Sequence, residues 1–428
     1  MDINAFIKLI NTNFDDILQK TEIEEYKQNN YINSVFNNYL DTFKEDVAIN
    51  DFINNYNTSS VFTKENFYIE PAPPPASTPL SYEEIPDGWL KGLKDARNQD
   101  ISKLNLSKEQ LLNLRVDSTT IMNDEQKKVL EPIIEKMKSP GLSINELHSL
   151  GITGKNVRIA ILDTEISYNK EFSEQVIHYE NLTEKGYHGS SFHGNALASI
   201  AVGTDCGVAP DAQLVYYAVN SCKTYTQAIN KIIEQNKQLK LEGKPPVSVI
   251  SISCGFDMCD DYEQNYQALR AVIDNAEAEG IAVITCDMNR DNKNRYPVGA
   301  NPAGDINSLD NYRIWALCRR DNWYSEKIPK GEKDKTLLIP GEFRTVAGQY
   351  NDYRYEGADG GESWTVPYLA GCFALAKQVD TNITYEEFYT KALETAYDCY
   401  NYDDKAYIGK IINPQKLILS IKNNKLGF

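Results

Sequence analysis

The sequence predicts an α/β fold, a mostly parallel sheet with helices on its faces, preceded by a mainly helical N-terminal region. Three observations carry that expectation. Four apolar runs, VRIAILD (157–163), AQLVYYAV (212–219), VSVISIS (247–253) and IAVITC (281–286), have the Val/Ile-rich character of buried strands. Two long helical patterns, TYTQAINKIIEQNKQLK and DYEQNYQALRAVIDNAEAEG, lie between the last three of them. Strand and helix therefore alternate, the order that parallel strands joined by crossovers require.

Taken from the start, residues 1–60 place apolar side chains at helical spacing: Phe6, Ile7, Ile10, Phe14 and Ile17, then Val35, Phe36, Tyr39, Phe43 and Val47. Residues 1–80 hold 13 Asn, and 5 Lys against 12 Asp plus Glu, a net charge of −7. We expect a helical region over 1–70 and a Pro-rich linker over 71–80, in PAPPPASTP. A helical connecting or cap region follows over 81–140, with SKEQLLNL and DEQKKVLEPIIEKM as its clearest segments. SINELHSLGITGK reads as a short helix with Ser143 as N-cap, Glu146 three residues on, and Gly151 as C-cap. The remaining domain is expected over 141–428, with a long polar surface loop over 290–345 that carries Trp315 and Trp323.

Composition excludes several functions. With 41% hydrophobic and 25% charged residues over 428, the chain reads as a soluble folded protein. There is no apolar run long enough to span a membrane and no signal-peptide pattern, so a cytoplasmic location is expected, or export by a route the sequence does not display. The formal charge of −17 and the absence of a basic patch argue against a nucleic-acid partner. Eight cysteines, at 206, 222, 254, 259, 286, 318, 372 and 399, sit mostly in apolar runs and read as free buried thiols of a reducing compartment. The spacing from Cys254 to Cys259 matches no zinc or redox pattern.

Only four histidines, 148, 178, 188 and 193, compete for the role of a general base. His148 lies on the helix before the first strand and reads as a surface or packing residue. His193 opens a small-residue helix in FHGNALASIAVG, and His188 in YHGSSFHG is its competitor. Asp163 ends the first strand, where it either caps a turn or accepts an imidazole N–H and holds the ring's tautomer. Ser363, in GGESWTVPYLAG (360–371), is either the N-cap of an apolar helix or a nucleophile beside the positive helix end.

These frames occur in the order Asp, His, Ser: DTEI, HGNALAS and GESWTVPYLAG. Together with GVAP (207–210) they make residues 141–420 resemble the subtilisin-like serine peptidases. The resemblance implies a three-layer subtilisin-like fold and a serine endopeptidase. In it Ser363 attacks the scissile carbonyl, His193 takes the proton, and Asp163 orients His193. It further implies Asn289, in GIAVITCDMN, as the side-chain oxyanion donor beside the Ser363 N–H. Ser253, Cys254 and Gly255, in SISCG, become a substrate-pairing edge. A peptide or protein substrate follows and no cofactor is required; members often bind structural calcium, but no calcium motif occurs here.

The frames also depart from the family pattern. Glu165, Asn195, Glu362, Trp364 and Met288 stand where the family usually has Gly, Thr or Ser, Thr, a small residue or Met, and Gly, respectively. Asp287 and Asn292 lie close enough to stand in for Asn289. The alternative is thus a catalytically impaired pseudopeptidase that binds or regulates. The N-terminal region does not resemble the family's usual βαββαβ inhibitory prodomain, and reads as a helical cap or as an autoinhibitory or partner-binding domain.

Overall fold

The computed structural model describes residues 72–88, 93–183, 191–286, 297–302, 305–309, 312–314, 333–357, 361–402 and 405–426. By backbone contacts the chain divides into Met1–Val61 and Phe62–Phe428, so the 81–140 segment belongs to the same unit as the sheet domain. Residues 1–71 lie outside the described residues, and with them the helices expected there.

A five-stranded parallel sheet organises the domain. Its strands are β3 (Arg158–Asp163), β4 (Val176–Asn181), β5 (Gln213–Ala218), β6 (Val247–Ile252) and β7 (Ala282–Thr285), in the order β4-β5-β3-β6-β7. Every pairing in it is parallel. Successive side chains of a strand point to opposite faces, and the burial follows that period. Ile159 and Ile161 of β3 join one core with α4 (Ser191–Val202) and α7 (Thr365–Val379). Ala160 and Leu162 join a second core with α5 (Cys222–Leu241) and α6 (Tyr262–Ala278). The result is a three-layer α/β/α arrangement, as the fold class anticipates.

β4, which the sequence reading passed over, is an edge strand with half-exposed positions, so it lacks the continuous apolar run of its neighbours. A second, mixed sheet runs β13 (Tyr397–Tyr400), β14 (Tyr407–Ile411), β10 (Leu337–Pro340), β8 (Val298–Pro302), β9 (Tyr312–Ile314). β8 and β10 are buried throughout. The stretch expected to be a polar loop thus contributes core strands, too short to stand out among polar neighbours. Trp315 and Trp323 lie outside the described residues.

Over 81–140 the described residues are helical at α1 (Lys108–Leu112) and α2 (Asp124–Lys136) only. Both begin on capping boxes, Ser107 with Gln110 and Asn123 with Gln126, in which side chain and backbone satisfy each other's donors. The remainder is turns and the short strands β1 (Lys94–Asp95) and β2 (Leu114–Arg115), a correction to the helical expectation. A small core of Ile85, Ile101, Leu104, Leu111 and Leu130 holds this segment together and includes Tyr355 of β12 (Tyr353–Tyr355). β12 pairs with β11 (Thr345–Ala347), and Val116 bridges to Tyr355.

The short helix α3 (Ile144–Ser149) is present, but Ser143 does not cap it. Its backbone is left-handed, with φ at 57°, which turns the hydroxyl away from the helix N–H groups. Gly151, with φ at 74°, does sit where a left-handed C-terminal residue is needed.

Candidate active site

Asp163 is the last residue of β3, at the C-terminal edge of the parallel sheet where functional groups gather. Its carboxylate is 4% exposed and accepts the Thr164 N–H at 2.8 Å. His193 is the third residue of α4, and its Nδ1 lies 2.6 Å from Asp163 Oδ1. A carboxylate can only accept, so the proton of this bond belongs to Nδ1 and Nε2 is left as the basic nitrogen. Burial pulls the imidazole down, but the Asp163 charge and its hydrogen bond outweigh it and raise His193 above the usual imidazole value.

The glycine after the histidine has a steric reason. A Cβ at Gly194 would stand 2.8 Å from Thr164 O and from Ile166 Cγ2, closer than real contacts allow. Any larger residue would push the start of α4 off the β3 turn and separate His193 from Asp163. The Tyr216 hydroxyl closes the same corner by donating to Thr164 O at 2.5 Å.

Ser363 sits in a 3-10 turn, Glu362–Trp364, that runs into α7 with Pro367 in the helix's first turn. The turn packs against α4. Trp364 is buried, with its ring 5.3 Å from that of His193 at 34°. Ser253, just past β6, donates its hydroxyl to the Ser363 carbonyl at 2.8 Å. Asp163, His193, the Ser363 turn and the Ser253–Gly255 segment thus converge on the same end of the sheet. The described hydrogen bonds include none between the Ser363 hydroxyl and His193. Asn289 lies outside the described residues, as do Met288, Asp287, Asn292 and the competitor His188.

Two of the departures acquire structural reasons. Asn195 is fully buried and ties three elements: its Oδ1 accepts Ser167 N–H at 3.0 Å, and its Nδ2 donates to Ser167 Oγ at 2.9 Å and Gly348 O at 2.8 Å. Glu165 turns toward the end of β4, where it accepts from Asn181 Nδ2 at 2.8 Å. Glu362 is buried, and its carbonyl accepts the Thr365 hydroxyl at 2.6 Å.

Sequence reasoning missed what lies behind His193. Phe192 meets the imidazole edge-on at 6.1 Å, and the Arg354 guanidinium covers the Phe192 ring at 4.2 Å. Arg354 pairs with Glu356 at 2.5 Å, and Glu356 pairs with Arg115 of β2 at 2.9 Å. This charged cluster is drawn from two stretches more than 200 residues apart, so no local motif marks it. The other two described histidines have structural contacts. His148 is half-buried and bonds to Val208 O at 2.9 Å, with burial lowering it, so of the two readings it is the packing residue. His178 of β4 lies with its ring tilted 50° to that of Tyr217 of β5, centroids 5.0 Å apart.

Residues 154–416 match the model of the Subtilase family. The chain belongs to that family. It is 25% identical over 269 residues to the Major intracellular serine protease of Bacillus subtilis (strain 168), a match covering 58% of this chain and 75% of the relative. Solved structures similar to it include the subtilase cytotoxin SubAB assembly, with a TM-score of 0.48, 14% identity and coverage of 67% of this chain and 96% of that one. The Prenylagaramide maturation protease PagA matches with a TM-score of 0.43, 16% identity and coverage of 66% and 99%. A cold adapted subtilisin-like serine proteinase matches with 0.42, 16% identity and coverage of 60% and 89%.

In this subtilase the GVAP motif has a packing role. Val208 N–H and Ala209 N–H donate to the Ile200 and Ala201 carbonyls near the end of α4, at 3.0 and 2.9 Å. A Cβ at Gly371 of α7 would stand 2.6 Å from Val208 Cβ, so the glycine of the serine frame lets α7 close on the motif. The frames that carry histidine and serine are in contact along their helices as well as at the site. Among the described residues no helix is long and apolar enough to cross a membrane.

Proposed function

We propose that this subtilase is a serine endopeptidase that cleaves peptide bonds through Asp163, His193 and Ser363. The observation that supports it best is the 2.6 Å contact of His193 Nδ1 with Asp163, which leaves Nε2 as the basic nitrogen. Ser363 Oγ attacks the scissile carbonyl while His193 takes its proton. The acyl-enzyme forms as His193 protonates the leaving amine, and water then repeats the sequence to release the acid.

The developing oxyanion is served by the Ser363 N–H, at the positive end of α7, and by Asn289 as the second donor. Ser253, Cys254 and Gly255 offer backbone groups to an extended peptide. Nothing in these steps calls for a cofactor. A reducing, cytoplasmic setting is supported by the lack of a disulfide among the seven described cysteines and by the similar protease named intracellular. For residues 1–80 the reading is an autoinhibitory or partner-binding role. Deleting them should raise peptidase activity without unfolding the rest, and unchanged activity would argue against inhibition.

The deciding experiment is labelling with a serine-reactive phosphonate, followed by digestion of a peptide library. Wild type should be labelled and should cleave, while Ser363→Ala should do neither with its fold intact. Equal labelling of Ser363→Ala would remove the assignment. An unlabelled, inactive wild type would instead point to the pseudopeptidase.

A further inference from the structure

Behind the end of β6, on the α5/α6 side of the sheet, sulfur and oxygen donors collect that the proposed peptidase chemistry does not use. Cys222 is the first residue of α5, Cys259 follows the 3-10 turn Phe256–Met258, and Asp261 precedes α6. The Cys222 and Cys259 sulfurs and an Asp261 carboxylate oxygen all lie within 4.8 Å of one another. We propose that Cys222, Cys259 and Asp261 form a three-donor binding site for a thiophilic divalent cation of the zinc class, with its fourth position left to water.

The donor chemistry selects the metal. Thiolates with one carboxylate suit tetrahedral zinc, whereas calcium and magnesium take oxygen. A zinc–sulfur bond of about 2.3 Å sets tetrahedral sulfurs about 3.8 Å apart, so the donors need to close only modestly. Burial and the nearby Asp261 charge raise the Cys222 thiol, so an arriving cation must displace its proton. Cys222 stands at the N-terminus of a 20-residue helix, whose positive end stabilises sulfur anions. Asp261 is already held in place, accepting the Cys222 N–H at 2.7 Å, the Lys223 N–H at 3.0 Å and Asn265 Nδ2 at 2.9 Å. Oδ1 accepts only the Cys222 N–H of these three and keeps a lone pair for a metal, whereas Oδ2 already accepts two bonds. Cys222 is fully buried and Cys259 nearly so, which shields the cluster from bulk water.

Metal binding replaces thiol protons, which go to solvent, and clamps the 254–261 turn to the start of α5. That turn continues from Ser253, whose hydroxyl holds the Ser363 carbonyl. A cation here therefore braces the wall beside Ser363 without touching it.

The test uses the full-length reduced, metal-stripped protein titrated with Co²⁺ and then with Zn²⁺. The expected result is one Co²⁺ per chain with thiolate-to-cobalt charge-transfer absorption, displaced by one equivalent of Zn²⁺, and a melting temperature raised by the metal. Cys222→Ser and Cys259→Ser should each weaken binding at least 100-fold, and Asp261→Asn should weaken it less while keeping the thiolate bands. Circular dichroism checks that each variant is folded. A wild type without charge-transfer bands overturns the proposal whatever the variants do, and so does binding that survives both serine substitutions.

Discussion

Trp364 lies against His193, with ring centroids 5.3 Å apart and the indole 4% exposed. A residue next to the proposed nucleophile thus forms one wall of the proposed base. Trp364→Ala leaves a cavity beside the imidazole and should cost about 3–5 kcal/mol. It should also lower kcat/KM, because the ring loses its packing on that side. Trp364→Phe keeps an aromatic wall and should lose much less. Thermal melts and kinetics on both variants check this, and equal losses would mean that the wall's aromatic character is irrelevant.

The pH dependence follows from His193. Its neutral form is the working base, and Asp163 raises its pKa, so activity should fall on acidification through a pKa above about 6.5. In Asp163→Asn the raising contact is gone and burial prevails, so the titration should move to lower pH. Turnover should fall by about 10⁴-fold, the size of loss seen when a triad aspartate is made neutral. With only four histidines in the chain, NMR can follow the imidazole directly.

Glu356 lies behind His193 between Arg354 and Arg115, with a fully buried side chain. Glu356→Gln leaves two guanidinium groups short of a buried partner and should cost about 3–5 kcal/mol. Because Glu356 also helps to raise His193, the acid limb of activity should shift to lower pH in a folded Glu356→Gln protein. Denaturant melts and a pH–rate profile separate the two effects.

Ser253→Ala removes a hydroxyl that holds the Ser363 carbonyl. The loss in stability should be small, about 0.5–1.5 kcal/mol for one hydrogen bond. The loss in kcat/KM should be larger in proportion, near 10-fold, since the bond positions the serine turn. An unchanged kcat/KM would show that the turn holds itself.

Gly194→Ala has no room for its methyl group between Thr164 O and Ile166. It should uncouple His193 from Asp163 and reduce activity far more than it reduces the melting temperature, because the clash is at one corner of the sheet. A normal acid limb in this variant would refute that account.

β3, β5, β6 and β7 were legible in sequence because burial forces near-continuous apolar runs, as in RIAILD of β3. The Asp163, His193 and Ser363 frames were legible because each sits at a sheet or helix boundary with strict local demands. Gly194 and Gly371 are small because neighbouring backbones close on them, and that necessity is written into the chain as a motif. Edge strand β4 and the short β8 and β10 were not legible, since a half-exposed or three-to-five-residue strand has no distinctive period. The left-handed Ser143, the Arg115–Glu356–Arg354 cluster behind His193 and the Cys222–Cys259–Asp261 group were decided only by the tertiary structure. Each joins residues far apart in sequence or depends on a single backbone angle. Charges and thiols interact through space, over distances set by the folded chain and not by their separation along it.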